Sequence, residues 1–324
     1  MKLEILQRRA RLLTELRACF VSHGYFEVQT PVLSRDCCVD AWIEPFVVPL
    51  NAGEVGYLQT SPEFALKRLL CARADKIFEV ARVFRKEESG PRHNPEFTMI
   101  EWYQCHVDHH VQMDFVEQLV SHLAAFSFEN GWNAELTKAV RIHRLSYQEA
   151  FQRFAGICPF AATLEELADV AGKTTATLPN GIETDRDGLL NLILADQTEP
   201  GLKSLGAVFL YDYPASQAAL AKIRNDRFPV AERFELYLNG VEICNGYHEL
   251  TDPIELKSRM QQQNQKRLAA GLPEIRSESR LQQTMSTFPL PPSSGVALGW
   301  DRLVMWCLSC DTIQEVIAFP FEEA

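Results

Sequence analysis

The sequence contains no apolar run of about 18 residues, which is the length that a membrane-spanning helix needs. Basic residues occur near the start, but the apolar segment of a signal peptide does not follow them. The first absence excludes a helical membrane protein, and the second argues against secretion. We therefore expect a cytoplasmic protein that has no membrane partner.

An excess of positive charge is also missing. The chain has 32 lysines and arginines against 43 aspartates and glutamates, a net charge of -11. Proteins that bind nucleic acids normally carry a basic surface, so this composition does not favour such a partner. The nine cysteines are scattered, and Cys37 and Cys38 are adjacent rather than spaced as metal ligands, which is typical of reduced thiols.

No low-complexity linker, internal repeat or long charge run marks a domain boundary. The 324 residues are 46% hydrophobic, which is enough to bury a full core. We expect a single domain over residues 1–324, with a mostly helical insertion at about 108–200.

Two strands and a connecting loop are predicted between residues 82 and 103. Alternate side chains of a strand share a face, so the first strand should present Arg85 with Glu87. The second should present Phe97, Glu101 and Tyr103. Gly90, Pro91, Asn94 and Pro95 favour a turn there. An arginine fork suits phosphate, an aromatic face suits a base, and a carboxylate suits an ammonium group, so this stretch predicts an ATP site beside an amine site.

A second hairpin is predicted around the turn at Asn239-Gly240. A two-residue turn pairs Tyr237 with Glu242 and places Glu235 opposite Cys244. The two glutamates then become diagonal neighbours on one face, about 7 Å apart. Such a pair suits magnesium, and a salt-bridged surface remains the alternative.

The same hairpin raises one difficulty. Strict alternation puts Asn245 on the opposite face from Glu235, unless a bulge at Gly246 turns it.

Three segments together resemble the class II aminoacyl-tRNA synthetases of the lysyl type. Residues 84–103 resemble motif 2 of that family, residues 24–31 resemble motif 1 and residues 295–302 resemble motif 3. The resemblance implies an α+β fold: a class II catalytic domain with an antiparallel sheet flanked by helices. It also implies a homodimer through the motif 1 region.

The resemblance assigns roles to individual residues. Arg85 and Arg302 would be catalytic, and Glu235 with Glu242 would hold Mg2+. The remaining ATP contacts would come from Lys86, Glu87, His93, Asn94, Phe97, Ile243 and Gly299, with Arg85, Glu242 and Arg302 again among them. The amino-acid substrate would be bound by Ser61, Pro62, Glu63, Glu101, Tyr103, Asn245, Glu249 and Ala297.

The sequence departs from lysyl-tRNA synthetases in two places. The motif 1 helix begins at once, so we expect no N-terminal OB domain for anticodon binding and no tRNA partner. In this respect the chain resembles truncated paralogues that attach lysine, in that group (R)-β-lysine, to a lysine of elongation factor P. Ala297 replaces a family glycine, and its methyl group would disfavour α-lysine unless it is neutral packing.

Two alternatives stay open at this point. One is a small-molecule ligase of the asparagine synthetase kind, against which the predicted ammonium site argues. The other is a regulatory paralogue that binds ligands without catalysis, against which the presence of all the phosphate and magnesium residues argues.

Overall fold

The computed structural model describes residues 2–137, 140–174, 181–276 and 278–324. The strands are β1 Phe26–Glu27, β2 Leu33–Ser34, β3 Val47–Pro49, β4 Val55–Leu58, β5 Lys76–Phe84, β6 Glu96–Cys105, β7 His143–Ser146, β8 Ala207–Pro214, β9 Ile223–Asn225, β10 Pro229–Leu238, β11 Val241–His248 and β12 Ser293–Gly299. The helices are α1 Lys2–Ser22, α2 Glu63–Cys71, α3 His109–Glu129, α4 Tyr147–Phe154, α5 Leu164–Ala171, α6 Arg186–Ile193, α7 Glu199–Lys203, α8 Pro253–Ala269, α9 Arg280–Thr287, α10 Trp300–Leu308 and α11 Ile313–Val316.

The chain forms two compact units, one made of residues 1–140 with 248–324 and the other of residues 141–247. In the first unit, strands pair in the order β1-β5-β6-β12, and β2, β4 and β3 form a small separate sheet. The pairs β5-β6 and β6-β12 are antiparallel, whereas β1 and β5 are parallel.

An aromatic core lies on one side of the first unit's larger sheet. Phe20 of α1 stacks on Phe78 of β5, with 4.4 Å between ring centroids, and meets Trp102 of β6 edge-on. Phe115 of α3 completes this contact. Because these side chains fill one face of the strands, the other face of β6 is left to carry polar residues.

The second unit pairs its strands in the order β11-β10-β8-β7, with β9 beside β10. Helices α4 to α7 pack on this sheet through a buried cluster that includes Phe151, Leu167, Leu190, Leu202 and Tyr213. Capping boxes at Ser146 and Thr163 begin α4 and α5.

The predicted α+β class with a mostly antiparallel sheet flanked by helices is confirmed. The helical content predicted at 108–200 corresponds to α3 to α7, with β7 among them. The single-domain organisation over 1–324 stays a prediction. No helix among the described residues is long and apolar enough to cross a membrane.

Candidate functional site

Strand β6 presents a polar face in the first unit. Its ten residues run without a bulge between β5 and β12, so Phe97, Glu101 and Tyr103 share one face as predicted. The register with β12 places Ala297 beside Glu101 and Gly295 beside Tyr103. These five residues, which the sequence placed in motifs 2 and 3, are therefore adjacent on one surface.

Glu101 lies at the centre of this surface and is 1% exposed. Its carboxylate accepts hydrogen bonds from the hydroxyls of Ser61 and Tyr103, both at 2.7 Å. Burial, followed by the negative charge of Glu63, raises the pKa of Glu101 to about 8. Both donors are neutral, so this carboxylate would be stabilised by a cation.

Lys67 of α2 lies beside Glu101 and was not predicted from the sequence. Its Nζ is 2.5 Å from an oxygen of Glu63 and 2.5 Å from an oxygen of Glu249, and its side chain is 2% exposed. Burial alone would lower the pKa of Lys67, but the two carboxylates outweigh this effect and raise it. We call Glu63, Lys67, Glu101 and Glu249 the amine cluster.

The amine cluster is continuous. Ser61 donates its hydroxyl to Glu101 and accepts a hydrogen bond from the backbone N–H of Glu63, which pairs with Lys67 and through it with Glu249. Burial raises the pKa of Glu249 to about 7, against the opposing effect of Lys67. The predicted substrate residues Ser61, Glu63, Glu101, Tyr103 and Glu249 are thus brought together.

Gly295 allows this close packing. A Cβ atom at this position would lie 2.2 Å from the Tyr103 ring and 2.8 Å from the carboxylate of Glu249. Neither distance is sterically possible without movement. Glycine at the start of motif 3 therefore lets β12 lie against the amine cluster.

The start of α2 differs slightly from the prediction. Serine followed by proline and glutamate at 61–63 predicts Ser61 as the N-cap and Pro62 as the first helical residue, whereas the helix begins at Glu63 with Pro62 as its N-cap. The Ser61 hydroxyl still accepts from the Glu63 N–H. The prediction was wrong by one residue, and the shift leaves the Ser61 hydroxyl oriented to donate to Glu101.

The predicted strand face that carries Arg85 and Glu87 is not observed. Strand β5 ends at Phe84, so Arg85 and Glu87 do not share a strand face; Arg85 is followed by a turn, and Glu87 is exposed there, as is Lys86. The Arg85 guanidinium lies over the Phe97 ring at 5.1 Å from its centroid and pairs with Glu88 at 3.0 Å. Arg85 and Phe97 are therefore adjacent, and their contact with ATP stays a prediction.

His93 and Arg302 meet at the beginning of α10. Arg302 Nη2 lies 2.5 Å from His93 Nε2, and Arg302 Nε donates to the Arg92 carbonyl at 3.4 Å. Burial, and then the positive charge of Arg302, lowers the pKa of His93. A neutral histidine among arginines suits an anionic ligand. Gly299 is the N-cap of α10 and leads directly to this arrangement.

Asn94 is fixed by the C-terminal segment. Its Nδ2 donates to the Glu96 carbonyl, and its Oδ1 accepts from the Phe321 N–H at 3.0 Å. Residues 313 and 314 also donate to the carbonyls of Pro91 and Gly90. Asn94 is therefore placed to shape the loop, and direct contact with a nucleotide stays a prediction.

In the second unit, the β10–β11 hairpin has the predicted turn but a different register beyond it. Leu238 pairs with Val241 and Tyr237 with Glu242, as expected. A bulge then intervenes, so Glu235 pairs with Asn245 rather than Cys244. The extra residue is Ile243, not one near Gly246. This one-residue slip brings Asn245 to the face of Glu235, which resolves the difficulty that strict alternation posed.

Glu235 has a complete set of protein partners. One oxygen pairs with Arg233 at 2.5 Å, and the other accepts from the hydroxyls of Tyr213 and Tyr237 at 2.6 and 2.7 Å. Arg233 also donates to Asn245. No group of three or more potential metal ligands occurs among the described residues, so a metal here would depend on Glu235, Glu242 and the ligand itself.

Comparison with known proteins places these features in a family. A model of class II tRNA synthetases of the D, K and N type matches residues 2–323. The chain belongs to this family. Membership makes it an ATP-dependent ligase.

Curated relatives narrow the comparison. The elongation factor P–(R)-β-lysine ligase of Edwardsiella ictaluri (strain 93-146) is 42% identical, over 98% of this chain and 95% of that protein. The proteins of the same name from Enterobacter sp. (strain 638) and Salmonella paratyphi A are each 40% identical with the same coverage.

Proposed function

We propose that this protein activates (R)-β-lysine, and α-lysine more weakly, as an adenylate at the expense of ATP. It then transfers the lysyl group to a lysine side chain of elongation factor P. The amine cluster is the observation that carries the proposal, and the names of the similar proteins agree with it.

The amine cluster supports a diamino substrate. Glu101 receives hydrogen bonds from two neutral hydroxyls and has a raised pKa, so an ammonium group would be its natural counter-ion. Glu63 and Glu249 supply further carboxylates beside it. We assign the distal ammonium to Glu101 and Tyr103, and the second amine to Glu63 and Glu249.

Four residues in and beside the motif 2 loop support the proposal that ATP binds there: Arg85, His93, Phe97 and Arg302. Arg85 would hold a phosphate, and the aromatic face of Phe97 would stack on the adenine. The substrate carboxylate is already ionised at neutral pH, so its attack on the α-phosphorus needs no general base. Attack forms an aminoacyl adenylate and releases pyrophosphate, and the acceptor amine then displaces AMP. Catalysis therefore depends on positioning and on stabilisation of charge.

Magnesium is supported by the chemistry of its proposed ligands. Glu235 and Glu242 lie on one face of the hairpin and offer the hard oxygen ligands that Mg2+ prefers. When bound, the ion would neutralise negative charge on the phosphates. Arg233 orients Glu235 through their ion pair, and it also holds the Asn245 side chain that we assign to the substrate carboxylate.

We also propose that the protein is a homodimer and that it is cytoplasmic. Apolar side chains are exposed near the end of α1, in motif 1 and directly after it: Val21, Phe26, Val32 and Leu33. Exposed apolar patches of this kind are typical of subunit interfaces. The acidic net charge agrees with a protein acceptor rather than tRNA.

The first test is ATP–pyrophosphate exchange with α-lysine and (R)-β-lysine as separate substrates. We expect exchange with both and a preference for β-lysine. Mass spectrometry of elongation factor P after incubation with ATP and β-lysine should show one added lysyl group. Exchange with neither amino acid would contradict the proposal and favour a regulatory paralogue.

A small-molecule ligase is the remaining alternative. It would show lysine-dependent exchange but would leave elongation factor P unmodified, with the lysyl group on a small amine instead.

A further inference from the structure

The ammonium group of Lys67 is buried, and a buried cation is stable only when negative charges lie close to it. Its ammonium group sits between the carboxylates of Glu63 and Glu249, each at 2.5 Å, and 5.9 Å from the centre of the Tyr103 ring. Glu63 is four residues earlier on the same helix, but Glu249 comes from a distant part of the sequence. An exposed pair at this spacing adds little stability, whereas a buried charge demands close compensation.

The charges around Lys67 do not balance. Glu63, Glu101 and Glu249 are three carboxylates linked by hydrogen bonds, and Lys67 is the cation among them. When all four groups are ionised, the amine cluster has a formal charge of -2.

Among the described residues, Tyr103 faces the amine cluster, and burial raises the pKa of its hydroxyl well above the ordinary value; two further titratable groups lie beside the cluster. Glu79 is the cross-strand neighbour of Glu101, but its two oxygens accept from the N–H and hydroxyl of Thr30. The thiol of Cys38 is 3.8 Å from Glu63, and burial raises its pKa well above the ordinary value, which keeps it neutral.

We propose that Lys67 is a resident cation that sets the charge of the amine cluster, so that the cluster is neutralised by a substrate with two ammonium groups. This inference rests on the proposed lysine-activating function. Lys67 also holds the oxygens of Glu63 and Glu249 apart from each other, in the positions where they meet the second amine. It is a positioning residue and does not touch the reacting carboxylate.

The role predicts a specific pattern in a Lys67→Ala variant. Without the ammonium group, Glu63 and Glu249 repel each other, and one of them takes up a proton or captures the substrate amine in the wrong place. We expect the dissociation constant and KM for lysine to rise at least about tenfold, with kcat and ATP affinity changed much less.

Chemical rescue separates charge from packing. Propylammonium can occupy the space that Lys67→Ala leaves and should restore most of the lysine affinity, whereas propanol of nearly the same shape should not. Lys67→Met fills that space, so it should show the same defect without rescue. Arg68→Ala, on the exposed side of the same helix, is the matched control and should behave as the parent protein.

Calorimetric lysine binding and pyrophosphate exchange, measured on folded variants, decide between the outcomes. Unchanged lysine affinity in Lys67→Ala and Lys67→Met, or equal rescue by propanol and propylammonium, would overturn the role of Lys67 while leaving the proposed function intact. Absence of both lysine binding and exchange in the parent protein would overturn the proposed function, and this inference with it. If Lys67→Ala does not fold, Lys67→Met alone tests the loss of affinity.

Discussion

Two buried glutamates, one in each unit, are held in different ways. Glu101 is 1% exposed and Glu235 is 6% exposed, and both accept hydrogen bonds from tyrosine hydroxyls. Glu235 also has the guanidinium of Arg233, whereas the other donor to Glu101 is the hydroxyl of Ser61. A carboxylate with its own arginine already has a counter-ion before the Mg2+ that we assign to Glu235 is bound. A carboxylate with neutral donors is poised for a cation that arrives from outside.

The largest effect should come from Glu101→Gln, which removes the charge and keeps the shape. Because an ammonium group would then lose its buried partner, we expect KM for lysine to rise by at least about a hundredfold in pyrophosphate exchange. Glu96→Gln, an exposed change on the same strand, is the control. A KM for Glu101→Gln close to that of the control would show that Glu101 does not bind the substrate.

Arg233→Met should affect stability instead. Glu235 would be left buried without its cation, and we expect the free energy of unfolding to fall by about 3–5 kcal/mol in urea denaturation. Adding Glu235→Gln to this variant should recover part of the loss. A loss below about 1 kcal/mol for Arg233→Met would show that the two tyrosines suffice and would weaken the contrast between the two glutamates.

Gly295→Ala tests how tightly the amine cluster is packed. The added methyl group must displace the Tyr103 ring or Glu249, so we expect a loss of about 1–3 kcal/mol in stability together with a raised KM for lysine. A variant that loses stability but binds lysine normally would show that the added methyl group does not disturb the lysine site.

The free energy of unfolding should depend on pH through Glu101. Its pKa is about 8 in the folded protein and about 4.3 when unfolded, so the unfolded chain loses this proton first as pH rises. The folded protein therefore loses stability between these values. Glu101→Gln removes this penalty, and its stability relative to the parent should increase by ~2 kcal/mol between pH 6 and pH 8.

The same titration should appear in substrate binding. KM for lysine in the parent protein should fall as pH rises from 6.5 toward 8, since ammonium binding requires ionised Glu101. A KM that is constant over this range would contradict the raised pKa.

Ala297→Gly should have the smallest effect. Ala297 pairs with Glu101 in the register of β12 and β6 and packs against the small cluster of Ala81, Val83 and Met99. Removing its methyl group should shift the ratio of kcat/KM toward α-lysine by about tenfold, within the 1–3 kcal/mol that one methyl group contributes. An unchanged ratio would identify Ala297 as neutral packing.

The sequence predicted the site best where the backbone is regular. The shared face of Phe97, Glu101 and Tyr103 follows from alternation along an uninterrupted strand. The prediction for Arg85 and Glu87 failed because β5 ends at Phe84, and strand alternation has no meaning in the turn that follows. Only a coarse boundary can be inferred from Gly90 and the two prolines further along the loop.

Sequence patterns could not predict the register of the second hairpin or the role of Lys67. A bulge at Ile243 or at Gly246 produces the same kind of slip, and nothing in the residue types distinguishes the two. Lys67 has the i+4 spacing of an ordinary surface pair with Glu63. Its burial against Glu249 depends on a contact across 182 positions of the chain, which periodicity does not reveal.

The hydrogen bonds from the C-terminal segment to the motif 2 loop have a practical consequence. The Phe321 N–H holds Asn94, and the side chain of Gln314 holds the carbonyl of Gly90. Because this segment holds the loop that we assign to ATP, a substitution at Gln314 should change the loop and with it the apparent affinity for ATP, although Gln314 is not among the residues that we assign to ATP.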